Sequence, residues 1–244
     1  MTAADLQVAL GAPRVELFES VPSTMDVAHR AAEKGAPAGT LVLADEQSSG
    51  RGRGGKSWAS APGAGIWLTL VERPADISGL EVLSLRVGLR AAEALDRFAP
   101  EPIRLKWPND LYVEAGKLGG ILVEARWREQ AVEWVAIGVG INVRRPEHVE
   151  NAGSLEVGAE RLDVLTELLP ALRSAAAARG PLDVSELEEF NARDMARGRI
   201  CTEPALGRVA GISAKGELLI ALADSVAPFR SGSLVLEEGE EKAR

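Results

Sequence analysis

The sequence predicts an α+β protein: a mixed or antiparallel sheet carrying helices, followed by a small all-β unit. Three observations carry that expectation. Apolar runs of strand length, bounded by turn residues, recur between Arg14 and Val143. Stretches with apolar residues at helical spacing interrupt them, the longest from Ile77 to Phe98. Beyond Gly198 the pattern shifts to short strands separated by turn signals. The expected division is therefore a larger domain over residues 1–198 and a small one over 199–244.

Composition bounds the partners. With 244 residues and 46% hydrophobic content, the chain has material for one well-cored globular domain and an appendage. The formal net charge of −8 argues against bulk polyanion binding, so any anion recognition must be local, and no nucleic-acid partner is expected. One cysteine, Cys201, makes no internal disulfide, and no Cys/His cluster has zinc spacing, so no dedicated metal site is expected. The start lacks a basic region followed by an apolar run, and no stretch is apolar enough to span a bilayer. The expectation is a cytoplasmic protein with no membrane partner.

Taken in order, Arg14 to Phe18 alternates as a first strand. Ser23 or Thr24 is placed to cap a helix that runs to about Lys34 and stops at Gly35. Gly39 to Asp45 is a buried strand that delivers Gln47 and a glycine loop, and Ile66 to Val71 is the next strand. The apolar stripe of the 77–98 helix, from Leu80 to Phe98, should pack on the sheet. A strand from Ile103 ends at Trp107-Pro108, and another starts after Asn109-Asp110. Leu118 to Arg126 and Trp134 to Val143 read as central strands, followed by a loop over 144–158. Leu162 to Leu172 is a helical stripe with Pro170 as a kink or first-turn residue, and Val184 to Arg197 is a second helix ending at Gly198. Short strands at 208–212, 218–222 and 233–236 precede a charged, frayed tail.

The loop from Gln47 to Trp58 alternates Gly50, Gly52, Gly54 and Gly55 with Arg51, Arg53 and Lys56. Glycine lets backbone N–H groups approach a ligand, and arginine can grip a carboxylate or phosphate with a two-pronged fork. Gly50 to Ser57 also spells a P-loop pattern, but Trp58 to Gly63 continues as loop, with no helix N-terminus to hold a phosphate. The residues leave an anion-binding loop, a plain surface loop and, against the chain's negative charge, an RGG-like nucleic-acid segment open. Asn109-Asp110 is ordinary turn chemistry unless Pro108 presents it rigidly beside Lys106. Gly119, Gly120, Gly138 and Gly140, on two consecutive strands, predict a flat ligand lying against the sheet.

These motifs occur together in one order: the glycine loop, Lys106-Trp-Pro-Asn-Asp110, Lys117-Leu-Gly-Gly-Ile-Leu-Val-Glu124 and Gly138-Val-Gly-Ile-Asn-Val143. With Val21-Pro-Ser-Thr24 before them, they resemble the biotin protein ligase family from about residue 14 to 237, in the form without an N-terminal DNA-binding domain. The resemblance implies a sheet-and-helix fold of the class II synthetase and biotin ligase type, closed by a small SH3-like barrel, here abridged. It implies that biotin and ATP give biotinyl-5′-AMP, and that a lysine of a biotin carboxyl carrier protein, an acetyl-CoA carboxylase subunit or its like, then takes the acyl group. Mg2+ is implied only by the ATP phosphates, and the protein would be a monomer or homodimer.

By the same resemblance Lys117, Arg53 and Asp110 are the catalytic residues, Asp110 preparing the carrier lysine. Ser23, Thr24, Gln47, Arg51, Gly52, Arg53, Lys117 and Gly120 would line the biotin site. Arg53, Trp58, Asn109, Lys117 and Asn142 would hold the nucleotide, with Trp58 stacked on adenine. Lys106, with Asp110, would meet the acidic carrier. Three positions depart from the family: Met25 stands for a usual asparagine, and Gly54 and Lys56 for loop arginines. Lipoate or octanoate transfer is the nearest alternative, and a non-catalytic biotin or nucleotide sensor is the alternative of another class. His29 and His148 have no nucleophile at a recognisable spacing and are expected at the surface.

Overall fold

The structure, a computed structural model, describes residues 2–114, 116–147, 149–156 and 158–237. Helix α1 (Ala3–Leu10) was not anticipated. It has a reciprocal cap between Thr2 and Asp5 and ends at Gly11 in the left-handed region, but it buries only Leu6, so no apolar stripe announced it. The chain then forms β1 (Arg14–Val21), α2 (Thr24–Glu33), β2 (Thr40–Gln47) and β3 (Gly65–Glu72). Helix α3 (Leu83–Leu95) is flanked by single 3-10 turns at 80–82 and 96–98. Strands β4 (Arg104–Lys106), β5 (Asp110–Val113), β6 (Gly116–Arg128) and β7 (Ala131–Asn142) follow, the last two as a long hairpin.

Helix α4 (Arg161–Ala177), not α3, is the longest described helix, and Pro170 lies inside it without ending it. Helix α5 (Val184–Arg193) stops four residues short of the expected end. Asp194 turns extended there, and the backbone pairs with β4, where Met195 N–H donates to the Leu105 carbonyl at 3.0 Å.

The seven strands are ordered β1-β2-β3-β7-β6-β5-β4. Only β1 and β2 are parallel, as the crossover through α2 requires; every other pair is antiparallel. Leu68, Leu70, Ile137, Val139 and Ile141 meet α3 and α4 in the main core. The opposite face is covered in part by α2, where Val27, Ala28 and Ala32 pack on Val42, Val71 and Trp134. Alternation along the strands thus splits the sheet into a core face and a face left partly open.

Strands β8 (Ile200–Glu203), β9 (Gly207–Ile212), β10 (Leu218–Ala221), β11 (Val226–Phe229) and β12 (Val235–Leu236) form a second, antiparallel sheet ordered β11-β10-β9-β8-β12. Among the described residues no pairing of β11 with β12 closes it into a barrel. The Trp107 indole N–H, 2% exposed, donates to the Gly216 carbonyl at 3.0 Å and joins the two sheets. His29 is half-buried: on α2, its side chain, 26% exposed, faces the β6–β7 hairpin. His148 and the tail beyond Glu237 lie outside the described residues.

Candidate active site

The open face of the sheet is built by register. Asp110, Gly120, Gly140, Trp67 and Ala44 are successive cross-strand partners from β5 to β2, and Leu122, Gly138, Thr69 and Val42 form the next row. Simple alternation would put Lys117, three residues before Gly120, on the core face. A register shift between Leu111 and Tyr112 prevents this, because Lys117 pairs with Tyr112 while Gly119 pairs with Leu111. The extra residue reverses the alternation, as bulges do beside functional sites. Lys117 Nζ therefore reaches Asp110 Oδ1 at 2.7 Å on the open face.

A cavity of about 730 Å³ stands over these rows. Its walls are the start of α2, the glycine loop, the Lys106–Asp110 turn and, from the second sheet, Gly232 to Val235. Of the expected site residues, all but Asn142 line it.

At one end, Ser23 begins α2 without capping it: its hydroxyl is buried and has no partner. A buried hydroxyl is expensive to leave unpaired, so it marks a place for a polar ligand group. Thr24 N–H and Oγ1 both donate to Gln47 Oε1, at 2.8 and 3.1 Å, and Gln47 Nε2 donates to Ser60 Oγ at 2.8 Å. Thr69 Oγ1 donates to Thr24 Oγ1 at 2.9 Å. Met25, 3% exposed, fills the floor: a Cβ at Gly138 would lie 2.8 Å from Met25 Cε.

Over the middle lies Trp58. A Cβ at Gly140 would fall 2.6 Å from its Nε1 and one at Gly120 3.3 Å from its ring. The flat group on the glycine ledge is thus the protein's own indole. Its Nε1 is buried without a partner, and Lys117 Nζ stands 5.3 Å from its ring centre. Gly138 faces Met25, and Gly119 points to the core side against Ile141, so only two of the four glycines form the ledge.

The glycine loop folds back on itself, with bridges Gln47–Ser60 and Arg51–Ser57 and a single turn at Arg53–Gly55. It is not followed by a helix, so the P-loop pattern is incidental. Neither arginine is free. Arg51 pairs with Asp26 and Glu124, and Arg53 Nη1 donates to the Gly232 carbonyl at 2.7 Å. Gly54 and Gly55 have φ of 66° and 76°, a conformation an arginine at position 54 would adopt less readily.

At the far end, Asn109 Nδ2 donates to the Ile121 carbonyl at 2.8 Å. Asn142 is buried, its amide donating to the Lys117 and Gly153 carbonyls at 3.2 and 3.0 Å. It braces the strand that carries Lys117 from outside the cavity. Burial pushes the Lys106 ammonium below the ordinary lysine range, with Lys117, Arg199 and Lys56 adding to the effect and Asp110 opposing it. Sequence reasoning missed the wall from Gly232 to Val235, because nothing in a short Gly-Ser-Leu-Val run says that a second sheet folds against the first.

Among the described residues no group of three or more His, Cys, Asp or Glu side chains could hold a metal ion, and no helix is long and apolar enough to cross a membrane.

An open-faced α+β sheet with a lysine–aspartate pair and an arginine-bearing loop thus frames one cavity. The chain belongs to the biotin/lipoate A/B protein ligase family, whose model matches residues 17–142. It is 31% identical over 220 residues to the bifunctional ligase/repressor BirA of Escherichia coli, covering 83% of this chain and 68% of that one. It is 39% identical over 126 residues to the protein of the same name from Bacillus spizizenii, covering 51% of this chain and 39% of that relative's length. The solved biotin protein ligase of Aquifex aeolicus in complex with biotin and ATP superposes with a TM-score of 0.77 at 26% identity, over 92% of this chain and 99% of that one.

Proposed function

We propose that the chain is an ATP-dependent biotin–protein ligase, with residues 1–198 as catalytic domain and 199–244 as a small domain closing one wall of the site. The observation that carries this reading is the convergence of Lys117, Asp110 and the glycine loop on a cavity whose far end holds the unpartnered Ser23 hydroxyl. The solved Aquifex protein, a biotin protein ligase in complex with biotin and ATP, supports the choice of acid.

In the first step a biotin carboxylate oxygen attacks the α-phosphorus of ATP, and the bond to pyrophosphate breaks. Two anions must meet, so cations have to neutralise both. Lys117 would stand between them, and Arg53 would join it on leaving the Gly232 carbonyl. Ser23 and Thr24 take the ureido ring, whose donors and acceptors hydroxyl groups can match. Trp58 must leave or share the glycine ledge with the adenine. In the second step a neutral carrier lysine attacks the acyl carbon, the bond to AMP breaks, and Asp110 takes the proton. The closed loop keeps water from the mixed anhydride. Magnesium would supply charge neutralisation as part of the nucleotide, and no step above passes through it.

The test is to incubate the protein with ATP, Mg2+ and biotin, lipoate or octanoate in turn, with either a biotin carrier domain of acetyl-CoA carboxylase or a lipoyl domain, and to read acylation of each domain by intact mass. Labelling of the biotin carrier alone is expected. Labelling of neither, with the acids bound, would make the protein a sensor, and lipoyl-domain acylation with lipoate or octanoate would move it to the sister activity.

A further inference from the structure

Beside the cavity, a line of hydrogen bonds runs through three elements and ends on the glycine loop. The Trp134 indole N–H, on β7, donates to His29 Nδ1 at 2.9 Å. His29 Nε2, on α2, lies 2.9 Å from Glu124 Oε2 on β6. Glu124 Oε1 accepts from Arg51 Nη2 at 2.5 Å, and Arg51 Nη1 donates to Asp26 Oδ1 at 2.6 Å.

The direction of this line is fixed by chemistry. An indole nitrogen only donates, so His29 Nδ1 must accept, and Nε2 carries the proton that goes to Glu124. Trp134 is itself held, 6% exposed, with the Arg73 guanidinium 5.7 Å from its ring centre. One oxygen of Glu124 is therefore tied to a histidine of set tautomer, and the other is aimed at Arg51.

The loop has a reason to need this. Glycines lose more conformational freedom on ordering than other residues, and a tether in place before ligand binding lowers that cost. An exposed Asp26–Arg51 pair alone would hold the loop weakly, because both side chains are about 40% exposed (42% and 41%). Glu124, at 28%, is the firmer anchor because His29 fixes it from behind.

We propose that His29 and Glu124 are positioning residues: through the Trp134–His29–Glu124–Arg51 line they set the glycine loop over the cavity before the acid arrives. Neither touches the cavity; both act through Arg51. The kinetic part of the inference rests on the biotin ligase reading, whereas the structural part does not.

The experiment compares the full chain with His29→Leu, His29→Gln and Glu124→Ala. Trypsin cleavage at Arg51, Arg53 and Lys56 is mapped by mass without ligand, with circular dichroism to show that each variant is folded. Cleavage in the loop should quicken about five-fold in H29L and E124A and return towards wild type in H29Q, whose amide can still donate to Glu124. In pyrophosphate exchange, the biotin KM should rise about five-fold in H29L and E124A with kcat within about two-fold. Unchanged loop cleavage in folded E124A overturns the proposal, whatever H29L does. So does a fall in kcat at constant KM. Absence of exchange in the wild type would sink the ligase reading but leave the proteolysis to decide the tether.

Discussion

Lys117 Nζ and Asp110 Oδ1 meet 2.7 Å apart on adjacent strands. In the proposed mechanism, the cation of adenylate formation and the base of acyl transfer thus hold each other before substrate arrives. Lys117→Ala should abolish ATP–pyrophosphate exchange while leaving the melting temperature nearly unchanged, since a partly exposed pair contributes only about 0–1 kcal/mol. Asp110→Asn should keep the exchange and slow transfer to the carrier by about 10²-fold or more, the usual worth of a positioned base. Exchange and single-turnover transfer, measured side by side, check both.

Gly140 is required by Trp58. A Cβ there would fall 2.6 Å from the indole nitrogen, and the glycine lies in the central strand β7. Gly140→Ala should drive Trp58 off the ledge, shift tryptophan emission and weaken nucleotide binding at least about ten-fold, equal to ~1.4 kcal/mol. Fluorescence titration with ATP reads both effects.

The Asn142 amide donates to the carbonyls of Lys117 and Gly153. Asn142→Ala leaves buried carbonyls without those partners and should cost about 1–3 kcal/mol of stability. Denaturant unfolding would show it, together with lower exchange activity at temperatures where the protein is still folded.

Arg86 and Glu186 form a buried pair between α3 and α5, at 2.6 and 2.8 Å. Glu186→Leu leaves the guanidinium uncompensated and should cost about 3–5 kcal/mol. The Arg86 hydrogen bonds hold the Glu186 carboxyl below its ordinary range. A depressed folded value means that this stabilisation is complete above the unfolded carboxylate value, about 4.3, and is lost as pH falls through the lower folded one. Melting temperature followed downward from about pH 5 should fall more steeply in wild type than in Glu186→Leu.

Much of this was legible in the chain because it is local. Strand lengths, the glycine loop and the Lys106–Asp110 turn follow from short-range pattern, and twelve of the thirteen expected site residues line one cavity. What was hidden depends on register and on distant elements. The turn of Lys117 onto the open face needs the bulge opposite β5. Trp58 on the ledge needs the loop to fold back across β6 and β7. The pairing of Arg51 with Glu124, and the wedging of His29 behind it, link positions up to 73 and 95 residues away. Helix α1 was missed for the opposite reason: its signals are caps alone, with almost nothing buried.

The most direct measurement is ATP–pyrophosphate exchange by the wild-type chain with Mg2+, comparing biotin, lipoate, octanoate and no acid. Exchange that depends on biotin alone is the predicted result. Exchange supported by lipoate or octanoate but not biotin, or none with any acid despite measurable biotin binding, would contradict the assignment.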